Sequence, residues 1–298
     1  MKRHLLVEDL ARDDRFERVA IEDRLTDPRI VRRTTKVASA KASRPAAAPP
    51  GGPSRVVGRR LDPSMSAAPD LARSMMHGVF VGEIQALEGA GRTCFDFDVG
   101  AGDQAVPFEL KLDMARQWWD EARHVEISCK LNEFMGTEVG EFGESTILFE
   151  AACNADPVLR LAGVNRALEG LAIDVFNTMR EFGDKSGDPV LAFCEDWMLA
   201  DEVTHVKMGS DWLRRITADD PDRRERALDF QRVVDKLFSY GGLRGDDDES
   251  PVRLARRFRE MAGFNTTELN EIGALAREAA VERKAAASAR RRDTEVFR

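Results

Sequence analysis

Two short motifs in the sequence contain residue types that bind transition metals. They read Asp-Glu-Ala-Arg-His at residues 120–124 and Asp-Glu-Val-Thr-His at residues 201–205. Residues three apart lie on one face of an α-helix, so Glu121 is presented with His124, and Glu202 with His205. A carboxylate beside an imidazole suits a divalent metal such as iron or manganese. Because the chain has only four histidines, two such motifs predict a metal site.

Helical periodicity predicts the elements that carry these motifs. The first two predicted helices span residues 70–97 and 107–135, the third spans 157–182, and the fourth runs from a turn at 183–189 to residue 216. Three further helices are predicted at 222–238, 251–261 and 267–287. No strand pattern exceeds a few residues. We therefore predict an all-α fold, a four-helix bundle with additional C-terminal helices.

The geometry of antiparallel helices indicates which other carboxylates complete the site. Residues at equal distances from the turn between two such helices lie at the same level. Glu83 and Glu121 are centred on position 102, inside the first turn, and Glu169 and Glu202 are centred inside the turn at 183–189. At ~1.5 Å per residue, each pair stands about 25–30 Å from its turn. Glu83 and Glu169 are therefore the predicted partners of the two motifs.

The ligand from the first helix has a second candidate. Glu88 also shares a midpoint with Glu121 close to the first turn. The segments 83–88 and 169–174 both read acid-x-x-x-x-acid, which indicates that the two helical hairpins are related repeats. On that interpretation Glu83 corresponds to Glu169 as a ligand, and Glu88 corresponds to Asp174 as an accessory acid.

The assembled order Glu, Glu-x-x-His, Glu, Glu-x-x-His resembles the pattern of ferritin-like di-iron carboxylate bundles. The motif at 120–124 is similar to the Asp/Glu-Glu-x-Arg-His motif of bacterial multicomponent monooxygenases, acyl-carrier desaturases and ribonucleotide reductase small subunits. Residues 77–212 also resemble an uncharacterised bacterial ferritin-like family with a Glu-x-x-Ala-x-Glu motif in the first helix. The second motif departs from the fuller pattern, since Thr204 stands where arginine is expected.

This resemblance implies two iron ions, with a manganese–iron pair as the alternative. Glu121 and Glu202 would bridge the metals, and the terminal ligands would be Glu83, Glu169, His124 and His205. Metal-binding histidines usually donate their second ring N–H to a carboxylate. Asp120 and Asp201 are therefore expected to reach the histidine of the other motif, the alternative being that they are exposed helix charges.

Several neighbouring residues have a structural and a functional interpretation. For Trp118, Trp119 and Trp197 we expect aromatic packing in the core rather than electron transfer. For His77 we expect a hydrogen-bonded histidine in the core or at its rim rather than a distant ligand. Arg123 is expected to pair with acids behind the site.

Composition limits the classes of protein and the location. The chain has 298 residues, a net charge of −8 and no apolar run of membrane-spanning length, and its N-terminus lacks an apolar stretch of secretory length. These features predict a cytoplasmic protein. Residues 1–64 read as a largely irregular, partly disordered arm, and residues 65–298 as the bundle (core helices at about 70–218) with its C-terminal extension.

The resemblance and the length together favour a di-iron oxygenase or oxidase that uses O₂ on a small organic substrate, with an unspecified electron donor. The alternatives are a ferroxidase or iron-binding protein, and a hydroxylase of modified tRNA. The basic stretch at 26–62 supports the tRNA alternative weakly, and we do not expect nucleic acid as a general partner. A homodimer is left open. We expect the loop at 136–145 and the post-bundle helices to cover a substrate pocket.

Overall fold

The computed structural model describes residues 69–100, 105–144, 149–150, 154–240, 244–245 and 250–296. The predicted N-terminal arm at residues 1–64 lies outside the described residues. The division of the chain at residue 64 therefore stays a prediction.

The described part of the chain is almost entirely helical, which confirms the all-α class. No described helix has an apolar stretch of the length that a bilayer crossing needs. A π-helical segment, Leu161–Leu168, continues α3 into α4 without a break, and we call these three pieces the composite helix. The elements are α1 Pro69–Asp96, α2 Phe108–Phe134, α3 Pro157–Arg160, α4 Glu169–Ser186, α5 Pro189–Ile216, α6 Pro221–Tyr240, β1 Arg244–Gly245, β2 Val252–Arg253, α7 Arg256–Met261 and α8 Thr266–Val296.

Local sequence explains where the composite helix and α5 begin and end. Asp156 and Asp188 precede Pro157 and Pro189, and their carboxylates accept hydrogen bonds from the first free backbone N–H groups of each helix. Gly187 ends α4 in the left-handed conformation, with φ 73°. These signals form the tight turn that returns the chain antiparallel along the bundle.

Four helical elements enclose the core of the bundle. α1 packs along α2, α4 packs along α5, α5 also contacts α2 and the π segment, and α1 contacts α4 and the π segment. One hydrophobic cluster takes a buried residue from each: Met76 from α1, Leu131 from α2, Phe176 from α4 and Met198 from α5. Burial of this apolar surface fixes the level of one helix against another.

Three predicted helices differ from the structure, and one of them, expected at 267–287, spans Thr266–Val296 instead. The third helix along the chain was expected to be a regular α-helix over 157–182, but eight of its residues are π-helical and it continues to Ser186. The helix predicted at 251–261 begins only at Arg256, because Val252–Arg253 pairs in parallel with Arg244–Gly245. The backbone N–H of Ala255 donates to Asp174 Oδ1 (2.8 Å), which holds this stretch extended against the bundle.

The C-terminal helices are attached to the bundle through buried ion pairs as well as apolar contacts. α6 packs on the π segment and α8, and α7 packs on α4 and α5. Arg259 of α7 donates to both carboxylate oxygens of Asp174, at 2.9 and 2.7 Å. Arg166 of the π segment pairs with Glu268 of α8. These contacts fix the composite helix against the C-terminal helices.

Candidate metal centre

The structure brings six buried carboxylate and imidazole side chains together inside the bundle. They form two groups of four that share Glu121 and Glu202. Glu83 and His124 complete the first group, and Glu169 and His205 complete the second. Within each group, one ligand atom from every residue lies within 4.8 Å of the others.

Each of the four bundle elements contributes one glutamate. Glu83 comes from α1, Glu121 from α2, Glu202 from α5, and Glu169 is the first residue of α4 after the π segment. The two histidines follow their glutamates by three residues on α2 and α5, so each pair lies on the same buried face. All six residues predicted from the sequence therefore converge.

His124 faces the carboxylates with one ring nitrogen. Its Nδ1 lies 3.1 Å from Glu83 Oε2 and 3.1 Å from Glu202 Oε1. The same nitrogen lies 3.2 Å from Glu121 Oε2. The other ring nitrogen, Nε2, lies 3.3 Å from Asp201 Oδ2. This orientation aims Nδ1 into the cluster and leaves Nε2 to the aspartate.

His205 has the same arrangement from the opposite helix. Its Nδ1 lies 3.1 Å from Glu121 Oε1 and 3.6 Å from Glu202 Oε1. Its Nε2 lies 3.2 Å from Asp120 Oδ2. Each motif thus supplies the aspartate behind the other motif's histidine, as the sequence predicted, and neither aspartate is an exposed helix charge.

Arg123 joins the two aspartates on the outer side of the cluster. Its guanidinium pairs with Asp120 and lies 3.3 Å from Asp201 Oδ2. It also stacks over Trp197, at 4.7 Å from the ring centroid. The prediction that Arg123 pairs with acids behind the site is confirmed. One cation therefore holds both acids that orient the imidazoles.

Two amide side chains orient Glu169. Gln117 donates from Nε2 to Glu169 Oε1 at 2.7 Å and lies 3.4 Å from Glu121 Oε1. Asn165 of the π segment donates to Gln117 Oε1 at 2.6 Å, which settles the orientation of the Gln117 amide. Gly209 lets α5 approach closely here, since a Cβ at that position would lie 2.3 Å from Asn165 Cβ. Sequence reasoning missed both amides, because neutral residues have no metal-ligand signature.

Burial and mutual repulsion control the protonation of the glutamates. Burial, partly offset by the contact with His124, raises the pKa of Glu83 to about 8. Burial and the charges of Glu202 and Glu121 raise the pKa of Glu169 well above its usual value. Burial would lower the pKa of His124, but its contacts with Asp201 and the glutamates raise it instead. The contacts with His124 and His205 lower the pKa of Glu121 and Glu202, so positive charge beside these two glutamates stabilises their ionised forms.

The donor set fits a pair of divalent cations. Oε2 of Glu121 and both oxygens of Glu202 lack a hydrogen bond of acceptable geometry although they are fully buried. Nδ1 of His205 is also buried and lacks such a hydrogen bond. Buried polar atoms without partners are costly, and a metal would satisfy all of these at once. Two divalent ions would also supply four positive charges against the four glutamates. These buried groups can hold metal ions.

Two acids and one histidine that were considered from the sequence lie outside the cluster. Glu88 is exposed, whereas Glu83 is 4% exposed and contacts His124, so Glu83 is the α1 residue of the cluster. Asp174 was expected as an accessory acid, but it pairs with Arg259. His77 is buried and its Nε2 accepts a hydrogen bond from the backbone N–H of Gly140 at 3.1 Å. His77 is therefore a hydrogen-bonded rim histidine, as predicted.

The tryptophan prediction was wrong for two of three residues. Trp118 and Trp119 are 52% and 66% exposed. The buried face of α2 contains Gln117 and Glu121. Trp118 and Trp119 follow Gln117 by one and two positions, which turns their side chains away from that face. Trp197 packs against the main hydrophobic cluster, and its ring centroid lies 6.3 Å from that of His124.

Another buried carboxylate on the bundle, that of Glu195, was missed by sequence reasoning. It is fully buried on α5, and neither carboxylate oxygen has a hydrogen-bond partner. Glu195 stands seven residues, or two helical turns, before Glu202 on the same buried face. That spacing was visible in the sequence and could have identified it.

Comparison with known proteins identifies the family. The family model that matches residues 9–270 is DUF455, described as a protein of unknown function. The chain belongs to this family. No curated protein and no solved structure matches the chain. The assignment of chemistry to this DUF455 protein therefore depends on the geometry of the buried cluster.

Proposed function

We propose that this DUF455 protein is a ferritin-like, non-haem di-iron oxidoreductase that uses O₂ to oxidise an organic substrate. The observation that supports it most is the pair of four-residue groups sharing Glu121 and Glu202. Two shared carboxylates suit two adjacent ions, because each can give one oxygen to each ion. The mixture of four carboxylates and two imidazoles favours iron or manganese over softer metals.

In this proposal the ligand roles follow the grouping. Glu83 and His124 would hold one metal ion, Glu169 and His205 would hold the other, and Glu121 and Glu202 would be shared between them. When bound, the metal pair supplies electrons to O₂ and thereby the oxidising power that amino acids lack. The chain itself supplies the geometry, the charge and the exclusion of water.

The residues around the ligands have separate tasks. Asp120 and Asp201 accept a hydrogen bond from the Nε2–H of the imidazoles, which directs each Nδ1 into the cluster, where it would bind a metal ion in place of a proton. Gln117, fixed by Asn165, holds one oxygen of Glu169 and leaves the other oxygen to bind. Phe176 packs edge-on to His124, with ring centroids 6.2 Å apart, and keeps this side of the site dry.

An organic substrate is preferred over iron itself because of the extra helices. An iron-storage bundle needs little beyond four helices, whereas here α6 packs on the π segment that leads directly into Glu169. Phe149 and Val234 join Leu168 and Leu171 in a second hydrophobic cluster at this place. The cover over a substrate pocket, including residues 145–148 outside the described ranges, stays a prediction.

The test is anaerobic loading with Fe(II), metal analysis, and then exposure to O₂ with optical and Mössbauer spectroscopy. We expect two iron ions per chain that O₂ oxidises together, and O₂ consumption that a reductant sustains only when an organic substrate is oxidised. Fewer than one metal per chain would contradict a metal centre. Continued uptake of iron beyond two per chain would favour the ferroxidase alternative.

A further inference from the structure

Glu195 is a fully buried acid for which the bundle provides no counterion. Both of its carboxylate oxygens lack hydrogen-bond partners. Metal-free packing would favour a leucine or methionine here, because an unpaired buried polar group costs stability. Such a group in a native core calls for an explanation in terms of binding or chemistry.

The register of α2 against α5 places one complementary polar group at the level of Glu195. Ser128 Oγ donates to Met198 Sδ at 3.9 Å, and the two helices run in opposite directions. Asn132 is one turn beyond Ser128 and Glu195 is about one turn before Met198, so the two lie at the same level. Asn132 Nδ2 donates hydrogen bonds to the carbonyl oxygens of Ser128 and Met76, while its buried Oδ1 accepts none.

The chemistry of this pair favours a carboxyl that carries a proton. A protonated Glu195 has an O–H to give to Asn132 Oδ1, directly or through a buried water, whereas a carboxylate has none. The charged groups that act on Glu195 are Glu83 and His124 of the cluster. Burial, followed by the charge of Glu83, raises the pKa of Glu195 well above its usual value.

Oxidation of the cluster would change the field at Glu195. A divalent pair gains two positive charges when it loses two electrons, and the surrounding core has no mobile ions to offset them. A neutral carboxyl two turns from Glu202 can offset one charge by losing its proton.

We propose that Glu195 is an internal proton store, protonated while the metal pair is reduced and ionised once the pair is oxidised. The inference rests on the proposed function. Two electrons pass to O₂, which also takes up two protons. The Glu195 O–H bond breaks to supply one of these protons, and solvent supplies the other. Re-reduction of the metals by the external electron donor is accompanied by uptake of one proton at Glu195.

Infrared difference spectroscopy of the full chain tests this directly. In Zn(II)-loaded protein the ligand carboxyls are ionised, so the difference between wild type and Glu195→Gln should show the C=O stretch of a protonated carboxylic acid. In iron-loaded protein, oxidation with ferricyanide should remove that band in wild type, and reduction should restore it. Glu195→Gln should show neither change, and its midpoint potential should be raised, because the oxidised state loses its compensating carboxylate.

The outcomes separate this inference from the proposed function. Absence of the C=O band in the zinc-loaded comparison, or a band that persists unchanged through oxidation, would overturn the proton store. A Glu195→Gln potential equal to that of wild type would also overturn it. Failure of O₂ to oxidise the bound iron would contradict the proposed function alone, since the zinc and ferricyanide measurements do not require O₂. Exposed Glu88→Gln is the matched control and should behave as wild type.

Discussion

Two acids five residues apart on α4 show how the same helix serves structure and chemistry. Glu169 and Asp174 are both almost completely buried, at 1% and 0% exposure. Asp174 accepts two hydrogen bonds from Arg259 and one from the backbone N–H of Ala255. Glu169 receives a neutral amide from Gln117 and no arginine. The chain therefore supplies an arginine to Asp174, whereas it leaves Glu169 able to bind a metal cation.

The same contrast holds between the whole cluster and the C-terminal attachment. At the attachment, Arg244 donates to Asp235 at 2.9 Å and Arg166 pairs with Glu268, so each of these two acids has an arginine. In the cluster, four glutamates face two imidazoles and no lysine or arginine. A balanced set of buried charges holds helices together, whereas an unbalanced set of acids indicates a cation site.

The largest effect is expected from removing a shared carboxylate. Glu202→Gln takes a negative charge and a bridging oxygen from both groups of four, so metal content after anaerobic Fe(II) loading should fall from two per chain to less than one. Inductively coupled plasma analysis measures this, with exposed Glu88→Gln as the control. Wild-type metal content in Glu202→Gln would mean that the two groups are not one site.

Removing the paired acid should act on stability instead. Asp174→Ala leaves the guanidinium of Arg259 buried without its partner, which typically costs about 3–5 kcal/mol. Denaturant unfolding of the metal-free protein measures the loss. The matched variant Glu169→Gln should leave metal-free stability nearly unchanged at neutral pH, because the raised pKa of Glu169 keeps its carboxyl protonated there and the amide is equally neutral. Equal destabilisation by both variants would remove the contrast between the two acids.

The aspartates behind the histidines should have an intermediate effect. Asp120→Asn and Asp201→Asn keep the size of the side chain but weaken the hold on each imidazole N–H. A loss of about 10- to 100-fold in metal affinity is expected from each, measured by competition with a chelator. Affinities as high as that of wild type would show that Arg123 and core packing suffice to orient the rings.

The smallest effect on metal binding is expected at His77. This histidine is buried like His124, but it contacts Gly140 and Glu144 in the loop after α2 and not the four glutamates of the cluster. His77→Ala should therefore keep two metals per chain, while His124→Ala should lose them. Equal losses in both variants would place His77 in the metal shell and would show that the grouping is incomplete.

Much of the site could be predicted because its spacing is local or symmetric. Glu121 with His124, and Glu202 with His205, depend only on the three-residue periodicity of a helix. Glu83 and Glu169 followed from equal distances to two turns, since antiparallel helices joined by short turns keep the same level. The aspartate that each motif sends to the other's histidine follows from the same antiparallel register.

Tertiary structure decided what depends on neighbours distant in sequence. Asp174 is a buried acid on the same helix as Glu169, and its pairing with Arg259, 85 residues later, gives it a structural role. The π segment places Asn165 against Gln117, 48 residues away, which no periodicity indicates. Helical spacing is set by backbone hydrogen bonds within a few residues, so sequence alone determines which side chains share a face. Whether a buried acid meets an arginine, an amide or nothing is decided by packing between helices.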